Sequence, residues 1–192
     1  MQHNGLMSFA APSQPEPVPF RICFVCSGNI CRSPMAEIVM RSIADAAGLG
    51  ALVAASSAGT GDWHVGEPAD PRTIAALASA GLDGTAHRAR QFETAWFDDL
   101  DLVVALDRSH ERILKSWAPR EAARNTVQLM LSFDPSVHDT RDVPDPYYAD
   151  SAMFDSVLSM IDSACHALFD QLAPALRRDQ TRLTRREPRQ EA

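Results

Sequence analysis

No run of 18 apolar residues occurs in the 192-residue chain, which leaves it without a candidate membrane-spanning helix. Its opening stretch, MQHNGLMSFAAPSQPEPVP, lacks the basic start and continuous apolar core of a secretory signal. Neither export by that route nor membrane insertion is expected. Positive charge is also scarce: 18 Lys and Arg face 25 Asp and Glu, for a formal net charge of −7. Nucleic-acid faces are built from clustered Lys and Arg, so no nucleic-acid partner is expected, and any phosphate must be held by local groups. Cysteine is limited to Cys23, Cys26, Cys31 and Cys165, three clustered and one distant. That spacing fits neither a dense disulfide scaffold nor paired CxxC zinc sites, and it points to a reducing cytoplasm. No metal-ligand cluster is visible, so neither a metal nor another cofactor is expected. No internal repeat is present, and a monomer is the default expectation.

What is there suits one globular domain, with 45% hydrophobic and 22% charged residues in a chain long enough for one well-buried core. Pro12, Pro15, Pro17 and Pro19 crowd the end of the first segment, so residues 1–19 are expected to form a disordered leader, with Met7 a second candidate start of translation. Residues 177–192 carry six arginines against three acids and few apolar positions, which predicts a flexible, solvated tail. Between them, residues 20–26 are a short apolar run of strand formers broken by Ser-Gly-Asn, as in a buried first strand. Ser33 and Pro34 form an N-cap and first-turn pair, and Met35, Ile38, Val39, Ile43 and Ala46 then recur at helical spacing until Gly48. Further apolar runs at 52–55, 102–106 and 127–131 alternate with helical patterns near 73–80, 108–117 and 152–176. Such alternation predicts an α/β domain of right-handed βαβ units around a parallel sheet. Cys165 continues the four-residue spacing of Met153, Val157 and Ile161, which predicts a core position.

The segment Cys26-Ser27-Gly28-Asn29-Ile30-Cys31-Arg32-Ser33 places a cysteine and an arginine at the two ends of a tight loop between a strand and a helix start. This arrangement suits a tetrahedral dianion. Successive N–H groups of the loop can converge on phosphate oxygens, the helix N-terminus adds partial positive charge, and the Arg32 guanidinium can hold two oxygens. The same features favour the Cys26 thiolate over the thiol, making it a nucleophile at neutral pH. Ser33 can donate a hydrogen bond to that thiolate, and Gly28 and Asn29 tolerate the positive φ that a curled loop requires.

The string VCSGNICRSPMAE closely resembles the signature loop of low-molecular-weight protein tyrosine phosphatases, and the likeness covers most of residues 20–172. Ser57-Ala58-Gly59-Thr60-Gly61-Asp62-Trp63, then Ala86-His87-Arg88-Ala89-Arg90-Gln91, then Asp145-Pro146-Tyr147-Tyr148 match the family in order and spacing. The resemblance implies a three-layer sandwich with a central four-stranded parallel sheet, and a catalytic domain over residues 20–176. It implies Cys26 as nucleophile, Arg32 as anion clamp and Asp145 as general acid on a loop stiffened by Pro144 and Pro146. Ser27, Gly28, Asn29, Ile30, Cys31 and Ser33 would then line the phosphate site, with Asn29, Ser57 and His87 supporting the loop by hydrogen bonds. Trp63, Tyr147 and Tyr148 would wall a cleft for a phenyl ring, with phosphotyrosine proteins as partners. His64 departs from the asparagine of one common version of this stretch, which bears on rim contacts. Cys31 resembles a second loop cysteine that can protect Cys26 through a reversible disulfide.

Three other readings compete. Thiol-coupled arsenate reduction uses a similar loop but needs two further cysteines on a mobile segment, and residues 82–110 contain none. Protein-arginine phosphatases resemble this loop but tend to carry threonine where Ile30 stands, and they lack the aromatic cleft. A catalytically silent phosphotyrosine-binding module would not require Cys26, Arg32 and Asp145 together. The expectation is a metal-independent phosphomonoesterase acting through a cysteinyl-phosphate.

Overall fold

The structure is a computed structural model that describes residues 18–138 and 142–185. Residues 1–17 of the expected leader and 186–192 of the expected tail lie outside the described residues. Strand β1, Phe20–Cys26, is buried from Ile22 onward, as befits the interior strand of a parallel sheet covered on both faces. It pairs in parallel with β2 (Val53–Gly59) on one side and with β3 (Leu102–Ala105) on the other. Strand β4 (Val127–Leu129) continues the sheet beyond β3, giving the order β2-β1-β3-β4. The period-two alternation of β1 divides the interior. Ile22, Phe24 and Cys26 join the larger core with side chains of α1 (Arg32–Ala46), α2 (Pro71–Ser79) and α5 (Ser151–Arg185). Cys23 and Val25 join a smaller core with Leu114 of α3 (Arg108–Trp117) and Ala123 of α4 (Glu121–Asn125). Helices therefore cover both faces of the four-stranded sheet. The chain turns to opposite sides of β1 to form β2 and β3, so the crevice between the carboxyl ends of β1 and β3 is where a ligand site is expected, and the loop after β1 opens there.

Several boundaries differ from the sequence pattern for local reasons. Strand β2 runs to Gly59 rather than ending at residue 55, because the register Phe24↔Ser57 and Cys26↔Gly59 keeps it paired along the whole of β1. Helix α1 begins at Arg32 with Cys31 in the cap position, so Ser33 is not the N-cap, and its hydroxyl serves the thiol instead. Helix α2 starts at Pro71 because Asp70 caps it, accepting from Arg72 N at 2.8 Å. The apolar run at 127–131 is split, since β4 ends at Leu129 and a 3-10 turn follows over Met130–Ser132. Helix α5 does not stop at 176 but continues to Arg185. Arg177, Arg178 and Gln180 are good helix formers that propagate the helix past its buried apolar stripe, and Gln180 Nε2 donates to Gly48 O at 3.1 Å. The stretch 177–185 assigned to a flexible tail is thus helical. Cys165 is fully buried as expected, and burial pushes its thiol up. No helix among the described residues is long and apolar enough to cross a membrane.

Arg72 ties this scaffold to the segment 145–149. Its guanidinium pairs with Asp70, donates through Nη1 to Ala149 O at 2.8 Å and through Nη2 to Tyr147 O at 3.0 Å, and lies 4.5 Å over the Phe154 ring. One side chain therefore fixes the loop's carbonyls, the cap of α2 and the first turn of α5 relative to one another. Arg72→Ala is expected to leave the sheet intact while loosening residues 145–150, with amide hydrogen exchange there about tenfold faster by mass spectrometry and exchange in β1 and β3 unchanged. Equal protection of the 145–150 segment in both proteins would show that Arg72 does not hold it.

Candidate active site

The loop from Cys26 to Arg32 is gripped from outside through its carbonyls. Thr60 N donates to Cys26 O at 2.8 Å, Gly61 N to Ser27 O at 2.9 Å, and Asp70 N to Ile30 O at 2.9 Å. His87 Nε2 donates to Asn29 O at 2.7 Å. With these carbonyls committed outward, the loop's N–H groups are left to face an anion at its centre. Asn29 has φ 57°, the left-handed conformation that the curl requires and that asparagine tolerates. Gly28 does not need that conformation. Its lack of a side chain instead makes room for the His64 ring, whose Cδ2 would lie 2.7 Å from a Cβ at this position. Gly59 is required by close approach as well, since a Cβ there would come 2.6 Å from Ser27 O.

The thiol stands in a chain of side-chain hydrogen bonds whose direction can be worked out. Glu37 is ion-paired with Arg41 at 2.7 Å and accepts from Ser57 Oγ. With its hydrogen committed to Glu37, Ser57 Oγ accepts from Asn29 Nδ2 at 2.9 Å. The other hydrogen of the same amide goes to Ser33 Oγ at 2.9 Å, so Ser33 acts there as acceptor. Its own hydrogen is then free for Cys26 Sγ at 3.0 Å or Ala58 O at 3.2 Å. Asn29 Oδ1 accepts from Arg90 N at 2.9 Å, and Arg90 Nε donates to Ser57 O at 2.9 Å. A hydrogen-bond donor aimed at the sulfur stabilises its anionic form. Burial lowers the pKa of His87 from its usual value, against the opposing effect of the Asn29 carbonyl, which favours a neutral ring donating through Nε2.

Arg32 is 3% exposed, and its charge is met on several sides. Nη1 donates to Asp107 Oδ2 at 2.9 Å and to Val143 O at 3.0 Å, while Nη2 donates to Asp145 Oδ2 at 2.8 Å. Burial alone would raise the pKa of Asp107, but hydrogen bonds from His110 and Ser109 outweigh it and hold the carboxyl well below the usual carboxylate range. Asp107 also caps α3, accepting through Oδ1 from Ser109 N at 2.8 Å and His110 N at 3.0 Å. Cys31 is buried, and burial with the nearby charges of Asp70 and Cys26 pushes its thiol up to about 12. It is a thiol, not a thiolate, at neutral pH.

These groups open into a cleft of about 320 Å³ lined by Cys26, Arg32, Asp145, Trp63, His64 and Tyr147, together with Ser27, Gly28, Ile30, Cys31 and Tyr148. Trp63 is 70% exposed and Tyr148 97% exposed, so neither is a core residue. Tyr147 and Tyr148 pack edge to face with ring centres 4.9 Å apart, and the His64 ring lies 6.3 Å from that of Tyr147. The cleft thus has a polar floor with a fixed cation and aromatic walls, a shape that takes an aryl group bearing an anion. Among the described residues no His, Cys, Asp or Glu cluster is arranged to hold a metal ion.

Every residue singled out from the sequence falls in this cleft or in the bonds that hold its loop. The sequence reading missed Glu37, Arg90 and His110 and did not assign Asp107 a place beside Arg32. Asp107 had a readable signal, since Asp-Arg-Ser-His follows β3 after Leu106, at the sheet edge where sites form. Arg90 and Glu37 act across long sequence separations that no local pattern records.

A family model described as low molecular weight phosphotyrosine protein phosphatase matches residues 21–180. The chain is 55% identical over 150 residues to a low molecular weight protein-tyrosine-phosphatase of Streptomyces coelicolor, covering 78% of this chain and 91% of that protein. It is 46% identical over 162 residues to low molecular weight protein-tyrosine phosphatase A of Mycobacterium tuberculosis, covering 84% and 96%. Among solved structures, YfkJ of Bacillus subtilis aligns with a TM-score of 0.76 at 34% identity, covering 82% of this chain and 96% of that one. The YwlE arginine phosphatase, as a cysteine-to-serine mutant with a phosphorylated active-site serine, aligns with a TM-score of 0.71 at 29% identity over 80% and 95%. A match over most of the chain, joined to a loop that carries a thiol at one end and a buried arginine at the other, places this chain in the low-molecular-weight phosphotyrosine protein phosphatase family.

Proposed function

We propose that Cys26, Arg32 and Asp145 carry out hydrolysis of phosphotyrosine in proteins and of small aryl phosphates. The observation that carries this reading is the meeting of all three at the floor of one aromatic-walled cleft. The Cys26 thiolate attacks phosphorus, the P–O bond to tyrosine breaks, and protonated Asp145 gives its proton to the departing phenol oxygen. Water then attacks the cysteinyl-phosphate with Asp145 accepting a proton, which releases inorganic phosphate and restores the thiolate. Arg32 Nη2 donates to Asp145. A phosphate taking that place would free the carboxyl to turn toward the leaving oxygen, while Asp107 and the Val143 carbonyl keep the guanidinium in position. Ser33 stabilises the thiolate as attacking and leaving group, and the loop N–H groups hold the equatorial oxygens.

Ile30, where arginine phosphatases tend to carry threonine, and the exposed Trp63 of the cleft favour this reading over arginine dephosphorylation. Arsenate reduction would need two further relay cysteines on a mobile segment, and residues 82–110 contain none. A free thiol nucleophile is best kept in a reducing compartment, which supports a cytoplasmic location. Cys31, adjacent to the site and protonated, suits a resolving role. Oxidation of Cys26 by peroxide to a sulfenic acid, followed by condensation with the Cys31 thiol and loss of water, would give a reversible disulfide.

Asp145→Asn is expected to slow single-turnover hydrolysis of phosphotyrosine by about 100-fold to 10,000-fold and to slow nitrophenyl phosphate much less, because the phenol of tyrosine needs a proton to leave and nitrophenolate does not. Equal losses for the two leaving groups would remove Asp145 from the acid role. Trp63→Ala should raise KM for a phosphotyrosine peptide about threefold to tenfold, the size of a lost aromatic contact, while wild-type enzyme hydrolyses phosphoserine peptides far more slowly. Comparable rates on phosphoserine would contradict the aromatic-wall assignment. Glu37→Gln should lower kcat about tenfold with little change in KM, since an amide that donates to Ser57 competes with Asn29 Nδ2 for the Ser57 oxygen and so loosens the side chain that places Ser33 beside Cys26. An unchanged kcat would show that the placement of Ser33 does not depend on Glu37.

A further inference from the structure

His110 is 2% exposed, lies 83 residues from Ser27 in sequence, and takes no part in the chemistry above. Its Nε2 is 2.9 Å from Ser27 Oγ, the residue directly after the nucleophile. Its Nδ1 is 3.0 Å from Asp107 Oδ1, a close polar contact without hydrogen-bond geometry. The other oxygen of Asp107 holds Arg32 Nη1 at 2.9 Å. The imidazole therefore stands between the two ends of the phosphate loop, touching its start directly and its end through the Asp107 carboxylate. A carboxylate only accepts, so a proton on Nδ1 is favoured there, which leaves Nε2 to accept the Ser27 hydroxyl hydrogen. On the opposite side of the loop entrance, Thr60 N and Gly61 N hold the carbonyls of Cys26 and Ser27. Without His110, the start of the loop would be held from the β2 side alone.

We propose that His110 is a positioning residue that sets the distance between the Cys26–Ser27 end of the loop and the Arg32 guanidinium, and so tunes the affinity of the site for a tetrahedral oxyanion. This rests on the assignment of Cys26 and Arg32 above. A buried imidazole that served only to fill space would be replaceable by an apolar side chain of similar size. A positioning imidazole is not, because its hydrogen bond to Ser27 would be lost and a misplaced loop binds the equatorial oxygens less well.

The test is the inhibition constant for inorganic phosphate, measured alongside kcat and KM on phosphotyrosine peptide. His110→Leu is expected to raise the phosphate Ki about tenfold and to lower kcat/KM similarly. His110→Gln, whose terminal amide can reach Ser27, should recover most of the loss. Ser27→Ala should also raise Ki, and combining it with His110→Leu should add little, since both remove one interaction. A wild-type Ki in folded His110→Leu, or fully additive losses in the double variant, would overturn the proposal. If His110→Leu does not fold, Ser27→Ala and His110→Gln decide the matter: unchanged Ki in Ser27→Ala, or a Ki in His110→Gln raised as far as in Ser27→Ala, overturns it. Loss of turnover in Cys26→Ser and loss of phosphate inhibition in Arg32→Ala test the underlying assignment separately. If those two variants behave as wild type, the assignment fails and the role of His110 fails with it.

Discussion

The site depends on a buried cation that cannot be left unpaired. Arg32 sits at the first turn of α1 with almost no solvent contact, and desolvating a guanidinium is costly unless carboxylates and carbonyls meet it. Asp107, Asp145 and the Val143 carbonyl meet it, and they come from the start of α3 and the 143–145 segment. Those two segments are joined at the backbone by the bond from Val143 N to Leu106 O at 2.8 Å. The need to neutralise one side chain thus assembles three separate stretches of chain over the carboxyl ends of β1 and β3. The same arrangement presents a fixed positive charge to an incoming dianion and keeps the proposed acid within reach of it.

A second constraint is the number of donors and acceptors around Asn29. Its side chain uses both amide hydrogens and its carbonyl oxygen, and its backbone carbonyl takes the His87 proton. With so many bonds fixed on one buried residue, the left-handed backbone at this point is over-determined. The Glu37 carboxylate takes the Ser57 hydrogen, while the Asn29 amide, which donates to both hydroxyls, leaves the Ser33 hydrogen free 3.0 Å from the sulfur. Preorganisation of this kind lowers the reorganisation needed when charge develops in the transition state. Cys31 and Cys23 are pushed up to about 12, chiefly by desolvation. Cys26 lines the cleft with a hydroxyl partner 3.0 Å from its sulfur.

Much of this was legible in the residue order because the relevant physics is local. The apolar run of residues 20–26 specifies a buried strand, Gly48 ends α1, and Arg108–Trp117 matches its periodic pattern to the residue. Cys26 to Ser33 encodes a loop, a helix start and a cation in eight consecutive positions, so its chemistry could be read from spacing and from resemblance. Ser33 shows where local reading falls short. As a sequence feature it looks like an N-cap, but in the folded chain the thiol and Asn29 claim its hydroxyl and Cys31 takes the cap position.

By itself, the sequence determined the α/β alternation, the strand–loop–helix that carries Cys26 and Arg32, the absence of a spanning helix and the exposed aromatic stretch around Trp63. Tertiary structure alone decided that Glu37 reaches the sulfur through Ser57, Asn29 and Ser33, that Arg90 braces the same loop, that Asp107 holds the inner face of Arg32, and that His110 links Ser27 to that carboxylate. The physical reason is that periodicity, capping and turn chemistry act over a few residues and leave a trace in composition. Hydrogen-bond direction and charge pairing instead depend on which distant side chains the sheet order β2-β1-β3-β4 brings to one edge.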